Sequence, residues 1–233
     1  MGNNAYGQCG RKIVEDEVYR FSHSICPAPL VLGSVYACGW GADGQTGLGY
    51  HNKASCPVPQ VATYGDCSLA VSTDGHVFGW GNSEYLQLAS VTEATQISSP
   101  RLLALRGVGR VRQAACGGTQ VAEGEVFVWG FGILGKGPKL SESAIPERLP
   151  ATLFGRSEFN PTVKVSSIHC GLNHFAAITD RGELFVWGKN VRGCLGIGKH
   201  DDQYFPWRVT VPGHVTDVAC GVDHMVALVR SII

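Results

Sequence analysis

A short phrase recurs along this chain: an apolar–aromatic run closed by Trp-Gly. It stands at Val77-Phe78-Gly79-Trp80-Gly81, Val126-Phe127-Val128-Trp129-Gly130 and Leu184-Phe185-Val186-Trp187-Gly188, and with one extra residue at Val35-Tyr36 to Trp40-Gly41. Trp40, Trp80, Trp129 and Trp187 are thus 40, 49 and 58 residues apart. A second phrase, Cys-Gly, recurs at Cys116-Gly117, Cys170-Gly171 and Cys220-Gly221. Glycine-rich tails follow most Trp-Gly pairs, as in Gly44 to Gly49, Leu134 to Gly137 and Cys194 to Gly198. Self-similarity at such a period restricts the chain to repeat architectures, in which no unit buries its apolar face alone.

The clearest unit runs from Val163 to Gly198. It reads as three short β segments, Val163 to His169, His174 to Ile178 and Glu183 to Trp187, broken at Cys170-Gly171, Asp180-Arg181-Gly182 and Gly188. No apolar period of three to four residues persists long enough for an ordinary helix. Units of about 50 residues with three or four short strands are blades of a β-propeller. The expected fold is all-β, a single propeller region over 1–233 with blade segments near 1–10, 34–60, 61–110, 111–162, 163–214 and 215–233. Met1-Gly2 stands where a Trp-Gly would, and the last unit stops before its Trp-Gly strand, so the chain opens and closes inside repeats. Such staggering lets terminal half-blades pair and remove exposed edges.

The register has departures. Residues 11–33 lack the grammar. Tyr64-Gly65 takes the place of Cys-Gly, and Cys67 or Ser68 that of the histidine. The tail Tyr85 to Ala89 has lost its glycines. Cys116 and Trp129 are 13 residues apart against 17 for Cys170 and Trp187, which leaves Gln120-Val121-Ala122 only a stub of a middle strand, and Pro138 to Pro161 is the longest excursion between units. With about four to five units, the expected assembly is a partial or distorted ring.

Composition narrows the function classes. Lysine plus arginine equals aspartate plus glutamate at 19 each, which argues against electrostatic capture of duplex DNA. No apolar run approaches a membrane span. Nine cysteines without a C-x-x-C pair lack zinc spacing, and at Cys116, Cys170 and Cys220 a small thiol packs as a hydrophobe; reduced core cysteines are expected, with no metal. Asn160-Pro161-Thr162 is no glycosylation acceptor, Tyr6 spoils the myristoylation pattern after Met1-Gly2, and neither a signal nor a transit segment opens the sequence, so any targeting address would lie outside this chain.

Two G-x-G-x-x-G matches, at Gly39 to Gly44 and Gly130 to Gly135, are each followed by glycine-rich sequence that cannot open the helix a dinucleotide site requires; no cofactor is expected. His174 and His224 both stand four residues after a repeat cysteine. A triad would need partners that do not repeat in step with the blades, so a histidine capping its own loop by hydrogen bonds is the simpler reading. Arg106, Arg110 and Arg112 form a small basic cluster without interleaved aromatics, which reads as a solvated face rather than an RNA site.

The pattern C-G-x-x-H, then G-x-[LV]-[FY]-x-W-G, then G-x-L-G, resembles the regulator-of-chromosome-condensation (RCC-type) repeat. Segments such as Gly39 to Gly49, Val61 to Cys67, Gly79 to Ser90 and Asp202 to Val209 are similar to a mitochondrial branch of that family, over nearly the whole chain except about 20–33. The resemblance implies a seven-bladed parent fold, of which this chain would be a C-terminal half with internal deletions. It implies a non-catalytic guanine-nucleotide exchange regulator of a dynamin-like GTPase, mitochondrial, in the matrix or peripherally at the inner membrane. It also carries an alternative, an adaptor assembling large-subunit (16S-type) ribosomal RNA with pseudouridine synthases and other ribosome-assembly proteins. A third reading is a truncated, inactive variant. Under the first, loops on one propeller face meet the partner, which singles out Asn173, His174, Arg192, Asp223 and His224, with Trp40, Trp80, Trp129, Trp187, Cys116, Cys170 and Cys220 as the structural frame.

Overall fold

The structure is a computed structural model. It describes residues 57–64, 67–84, 86, 88, 95–116, 119–122 and 124–231, together with Gly2, Asn3, Glu17, Val18 and Val35. Trp40 and most of segment 34–60 lie outside the described residues. In chain order the strands are β1 (Gly2–Asn3), β2 (Glu17–Val18), β3 (Gln60–Tyr64), β4 (Cys67–Val71), β5 (Val77–Asn82), β6 (Gln96–Leu102), β7 (Val111–Ala115), β8 (Thr119–Ala122) and β9 (Glu125–Phe131). They continue with β10 (Glu142–Arg148), β11 (Val165–Cys170), β12 (His174–Thr179), β13 (Leu184–Gly188), β14 (Gln203–Val209), β15 (His214–Cys220) and β16 (Met225–Arg230).

Three antiparallel four-stranded sheets follow strict chain order, β3 to β6, β7 to β10 and β11 to β14; β15 and β16 pair as a half-blade, and β1 pairs with β2. The architecture is the all-β propeller arc expected, here three whole blades and one half-blade among the described residues. The innermost strands β3, β7, β11 and β15 contact one another in succession. Residues 11–33, without strand grammar, nonetheless contain β2.

The sheets stack face to face, so their inner strands are covered on both sides. In β12, Phe175 and Ala177 enter the core shared with the second blade, while Ala176 and Ile178 enter the core shared with the half-blade. In β13, Phe185 and Trp187 face the first of these cores, Leu184 and Val186 the second. All six residues of β12 are buried, which is why its sequence is a continuous apolar run rather than an alternating one. Trp129 and Trp187 are 0% exposed and Trp80 is 5%, as befits the residues that define the repeat. Trp187 stacks on Phe175 (5.4 Å between centroids) and meets Phe154 edge-on at 6.0 Å. Phe154 comes from a 3-10 turn, Ala151–Phe154, inside the long excursion after Pro138, which also holds β10.

The glycine of Trp-Gly has a backbone reason. Gly81, Gly130 and Gly188 have φ of 102°, 99° and 109°, and a Cβ on Gly188 would lie 2.5 Å from the Asn173 carbonyl oxygen. Gly135, last of the G-x-G-x-x-G at 130–135, sits in a turn rather than at the start of a helix.

Two departures resolve in the ladders. β8 is short, four residues against six in β12, yet it pairs with both β7 and β9, so the stub completes its blade. In the first blade, Ser68 faces Trp80 as Phe175 faces Trp187, and Thr63 faces Ser68 as Cys170 faces Phe175. Thr63, not Tyr64, therefore occupies the cysteine position. Cys67 opposes Gly81 as His174 opposes Gly188, so Cys67 holds the histidine position. The hairpin between β3 and β4 is tighter, with Tyr64 paired directly to Cys67, and this slides the inner strand by one place against its sequence alignment.

Candidate functional site: the hairpin face

The loop joining β11 to β12 and the loop joining β15 to β16 lie against each other, the Gly221 carbonyl oxygen 2.4 Å from where a Cβ on Gly171 would stand. Cys170-Gly171-Leu172-Asn173-His174 and Cys220-Gly221-Val222-Asp223-His224 are equivalent, each closed by a backbone hydrogen bond in which the glycine N–H donates to the histidine carbonyl (2.8 and 2.9 Å). In each, the imidazole folds over its own glycine. A Cβ on Gly171 would lie 2.3 Å from His174 Cε1, and one on Gly221 would lie 2.2 Å from His224 Cε1. The Cys-Gly-x-x-His phrase is therefore a ring-over-glycine packing motif. Among the described residues the His174 Nε2 is buried with no hydrogen-bond partner, so at that atom packing over the glycine does the capping. The ring, 1% exposed, is covered by the neighbouring hairpin. Burial holds its pKa below the ordinary value, against opposing pulls from the His224 backbone and the Asp223 carboxylate. His224, whose outer side faces no blade among the described residues, has a side chain 70% exposed.

The repeat cysteines point inward between blades. The Cys116 thiol donates to the carbonyls of Ala62 (3.1 Å) and Cys67 (3.4 Å), and the Cys170 thiol donates to the carbonyl of Cys116. All five described cysteines are free thiols; burial raises Cys170 well above its ordinary pKa and pushes Cys220 up to about 12. Thiols held protonated in this way are packing groups, not nucleophiles.

Four of the five candidate contact residues meet at one place. Asn173, His174, Arg192 and Asp223 line a cleft of about 150 Å³ between the third blade and the half-blade, with Lys189 completing its rim. Arg192 Nη1 donates to Asp223 Oδ2 at 2.8 Å, so the tail after β13 is tied to the next blade's hairpin. Arg192 reaches there from a left-handed backbone (φ 53°, ψ 24°) in a tail organised by buried Asn190, whose amide donates to the Lys199 and Asp201 carbonyls and accepts from the Leu195 N–H. The fifth, His224, stands apart from the cleft, its Nδ1 3.5 Å from Asp223 Oδ1. The sequence reading passed over Leu172 and Val222, which occupy the same place in the two hairpins and are 53% and 59% exposed. Their signal was an apolar residue at a repeated loop tip. Among the described residues no group of His, Cys, Asp or Glu could hold a metal ion.

The regulator of chromosome condensation (RCC1) repeat model matches residues 74–122, 123–178 and 181–228, and a second RCC1 repeat model matches 165–194. Each of the three units spans the third strand of one blade to the second strand of the next. The chain is 62% identical over 267 residues to the RCC1-like G exchanging factor-like proteins of Mus musculus and Homo sapiens, an alignment covering 100% of this chain and 58% of theirs. It thus spans somewhat more than half the length of those relatives. The crystal structure of human WBSCR16 superposes with a TM-score of 0.91 at 60% identity, over 99% of this chain and 67% of that one. Prp20p from Saccharomyces cerevisiae, characterised together with its binding to Gsp1p and histones, shares the fold at 20% identity (TM-score 0.66, 84% of this chain and 52% of that one).

Proposed function

The chain belongs to the RCC1 repeat family, and from that premise we propose that it is a non-catalytic propeller scaffold of mitochondria, in the matrix or at the inner membrane, that promotes nucleotide exchange on a dynamin-like GTPase. The names of the mouse and human relatives support the exchange role. The observation that carries the reading is the Arg192–Asp223 pair, which joins consecutive blades into one surface where Leu172 and Val222 stand as exposed apolar tips among charged groups. Exchange needs no reacting side chain. It needs a surface that binds the nucleotide-free GTPase more tightly than the loaded one, and the difference in affinity sets the limit of the shift.

The test is release of a fluorescent GDP analogue from a purified dynamin-like GTPase of the inner membrane. Added wild-type protein is expected to speed release at least tenfold, and Leu172→Asp to abolish the effect while circular dichroism stays unchanged. No acceleration by folded wild-type protein would overturn the reading. A second reading is an adaptor for large-subunit ribosomal RNA and its pseudouridine-forming enzymes, for which the exposed Arg101, Arg106 and Arg112 around the connection from first to second blade are the residues to test. Arg110 of that cluster is instead engaged with the Thr73 carbonyl. Co-purification with assembling large subunits, lost on charge reversal at these three positions, distinguishes it.

A further inference from the structure

The connections from one blade to the next differ in length: 103–110 joins β6 to β7, and 149–164, twice as long, joins β10 to β11. Each leads into the start of an innermost strand whose far end carries the hairpin, so both lie on the face opposite the hairpins. The turns between second and third strands share that face. There the carbonyls of Gly75 and Gly124 accept from the N–H groups of Val111 and Val165, which begin β7 and β11, at 3.2 Å each.

The longer connection carries a rigid arm. Its base is held in the core by Phe154 and Val163, each 3% exposed. Between them Ser157 and Asn160 exchange two backbone hydrogen bonds (3.4 and 3.1 Å), and Arg181 donates to the side-chain oxygen of Asn160. The tip so fixed presents Phe159 at 93% exposure. An aromatic ring held out on an ordered turn is the side chain that gives an interface most when covered, and it loses little freedom on docking.

The shorter connection has no aromatic residue and leaves a cavity of about 300 Å³ against the Asp74-Gly75 turn. Leu102, Leu105 and Val108 supply its apolar lining, Leu102 being 52% exposed. An apolar cavity of about 150 Å³ already takes up benzene, so a phenyl ring fits. The charges match as well. Arg156 and Glu158 stand on the arm, Asp74 and Arg110 at the cavity, and none of the four has an ion pair among the described residues. Arg110 is held in place by the Thr73 carbonyl.

A projection and a cavity that share one face meet reciprocally when a second copy turns over about a twofold axis lying along that face. We propose that two copies of this chain associate in this way, Phe159 of each entering the Leu102–Leu105–Val108 cavity of the other. Glu158 then lies beside Arg110, and Arg156 beside Asp74. The hairpin face, with the Arg192–Asp223 pair, stays outward on both copies. Glu158, next to Phe159, opposes the other use of such a tip, insertion into an anionic lipid surface.

Sedimentation velocity of the 233-residue protein across micromolar concentrations tests the association, and a reversible monomer–dimer equilibrium is expected. Phe159→Ser should weaken it at least tenfold and Leu102→Ser severalfold, both with unchanged circular dichroism, since both positions are exposed. An equimolar mixture of the two variants should regain part of the association, because one of its two contacts pairs an intact arm with an intact cavity. A monomer at every concentration would overturn the proposal. So would a dimer that neither substitution weakens, or a mixture that associates no better than either variant alone. Binding of the monomer to anionic phospholipid vesicles, lost in Phe159→Ser, would overturn it too and make the arm a membrane anchor.

Discussion

At the residue scale, the repeat's short phrases translate into close approaches between side chain and backbone. Gly171 is pinned from two sides, by the His174 ring and by the Gly221 carbonyl oxygen, which would lie 2.4 Å from an added Cβ. At Gly221 the three nearest atoms to an added Cβ all belong to the ring of its own histidine, whose side chain is 70% exposed and has room to swing. The same substitution therefore has different consequences at equivalent positions. Gly171→Ala is expected to cost about 1–3 kcal/mol, the range for overpacking where the neighbour is backbone. Gly221→Ala should stay within about 0.5 kcal/mol, as for a surface change. Urea unfolding of the two variants decides the matter, and equal costs would show that the neighbouring hairpin does not press on Gly171 as described.

At the scale of elements, the blades are joined by a device the sequence does not advertise. Gln60 of β3 donates through Nε2 to the Ala114 carbonyl (2.7 Å) and accepts from the Ala114 N–H (2.9 Å). Gln113 of β7 does the same to Ile168, at 3.0 Å in both directions. Each side-chain amide thus acts as a strand partner for the innermost strand of the next blade, satisfying groups that would otherwise be orphaned. Gln113→Ala leaves both Ile168 groups unpaired and is expected to cost about 2 kcal/mol in urea unfolding. A change under about 0.5 kcal/mol would mean that water replaces the amide. What was legible in the sequence follows the same division. Strands and turns were readable because Trp-Gly and Cys-Gly mark local backbone demands, and Asn173, His174 and Asp223, which share a cleft, could be singled out as candidates because their loops repeat. The glutamine clamps join residues 54 and 55 apart, and the Arg192–Asp223 pair 31 apart. A lone polar residue has no period to betray such a partner. The place of Thr63 was hidden for a related reason: a tighter hairpin shifts an alignment that only the ladder can correct.

At the scale of the whole molecule, the sequence unit and the structural unit are out of step. A unit that runs from the third strand of one blade to the second strand of the next binds consecutive blades covalently, and the cores lie between sheets rather than within them. The seams between blades therefore govern stability, and on the third-blade side of its seam with the half-blade stand His169 and His174. His174 packs against the next hairpin, facing Asp223 and His224; His169, beside Ser167, lies 3.7 Å from Asp217 of β15. Burial lowers the pKa of both, outweighing the carboxylates that pull the other way. A folded pKa below the unfolded value of about 6.5 means that the unfolded chain binds more protons in the interval between them. This contribution to stability is thus whole above about pH 6.5 and is lost as pH falls towards the folded pKa values, by up to ~1.4 kcal/mol per pH unit for each histidine. Melting temperatures followed from pH 7.5 to 5 should fall more steeply for the wild type than for His169→Gln or His174→Gln. Both variants are expected to begin less stable at pH 7.5, since each disturbs a packed seam, so the slope and not the starting value carries the inference. Parallel slopes in all three proteins would assign the acid sensitivity to carboxylates elsewhere and remove the histidines from the seam's proton balance.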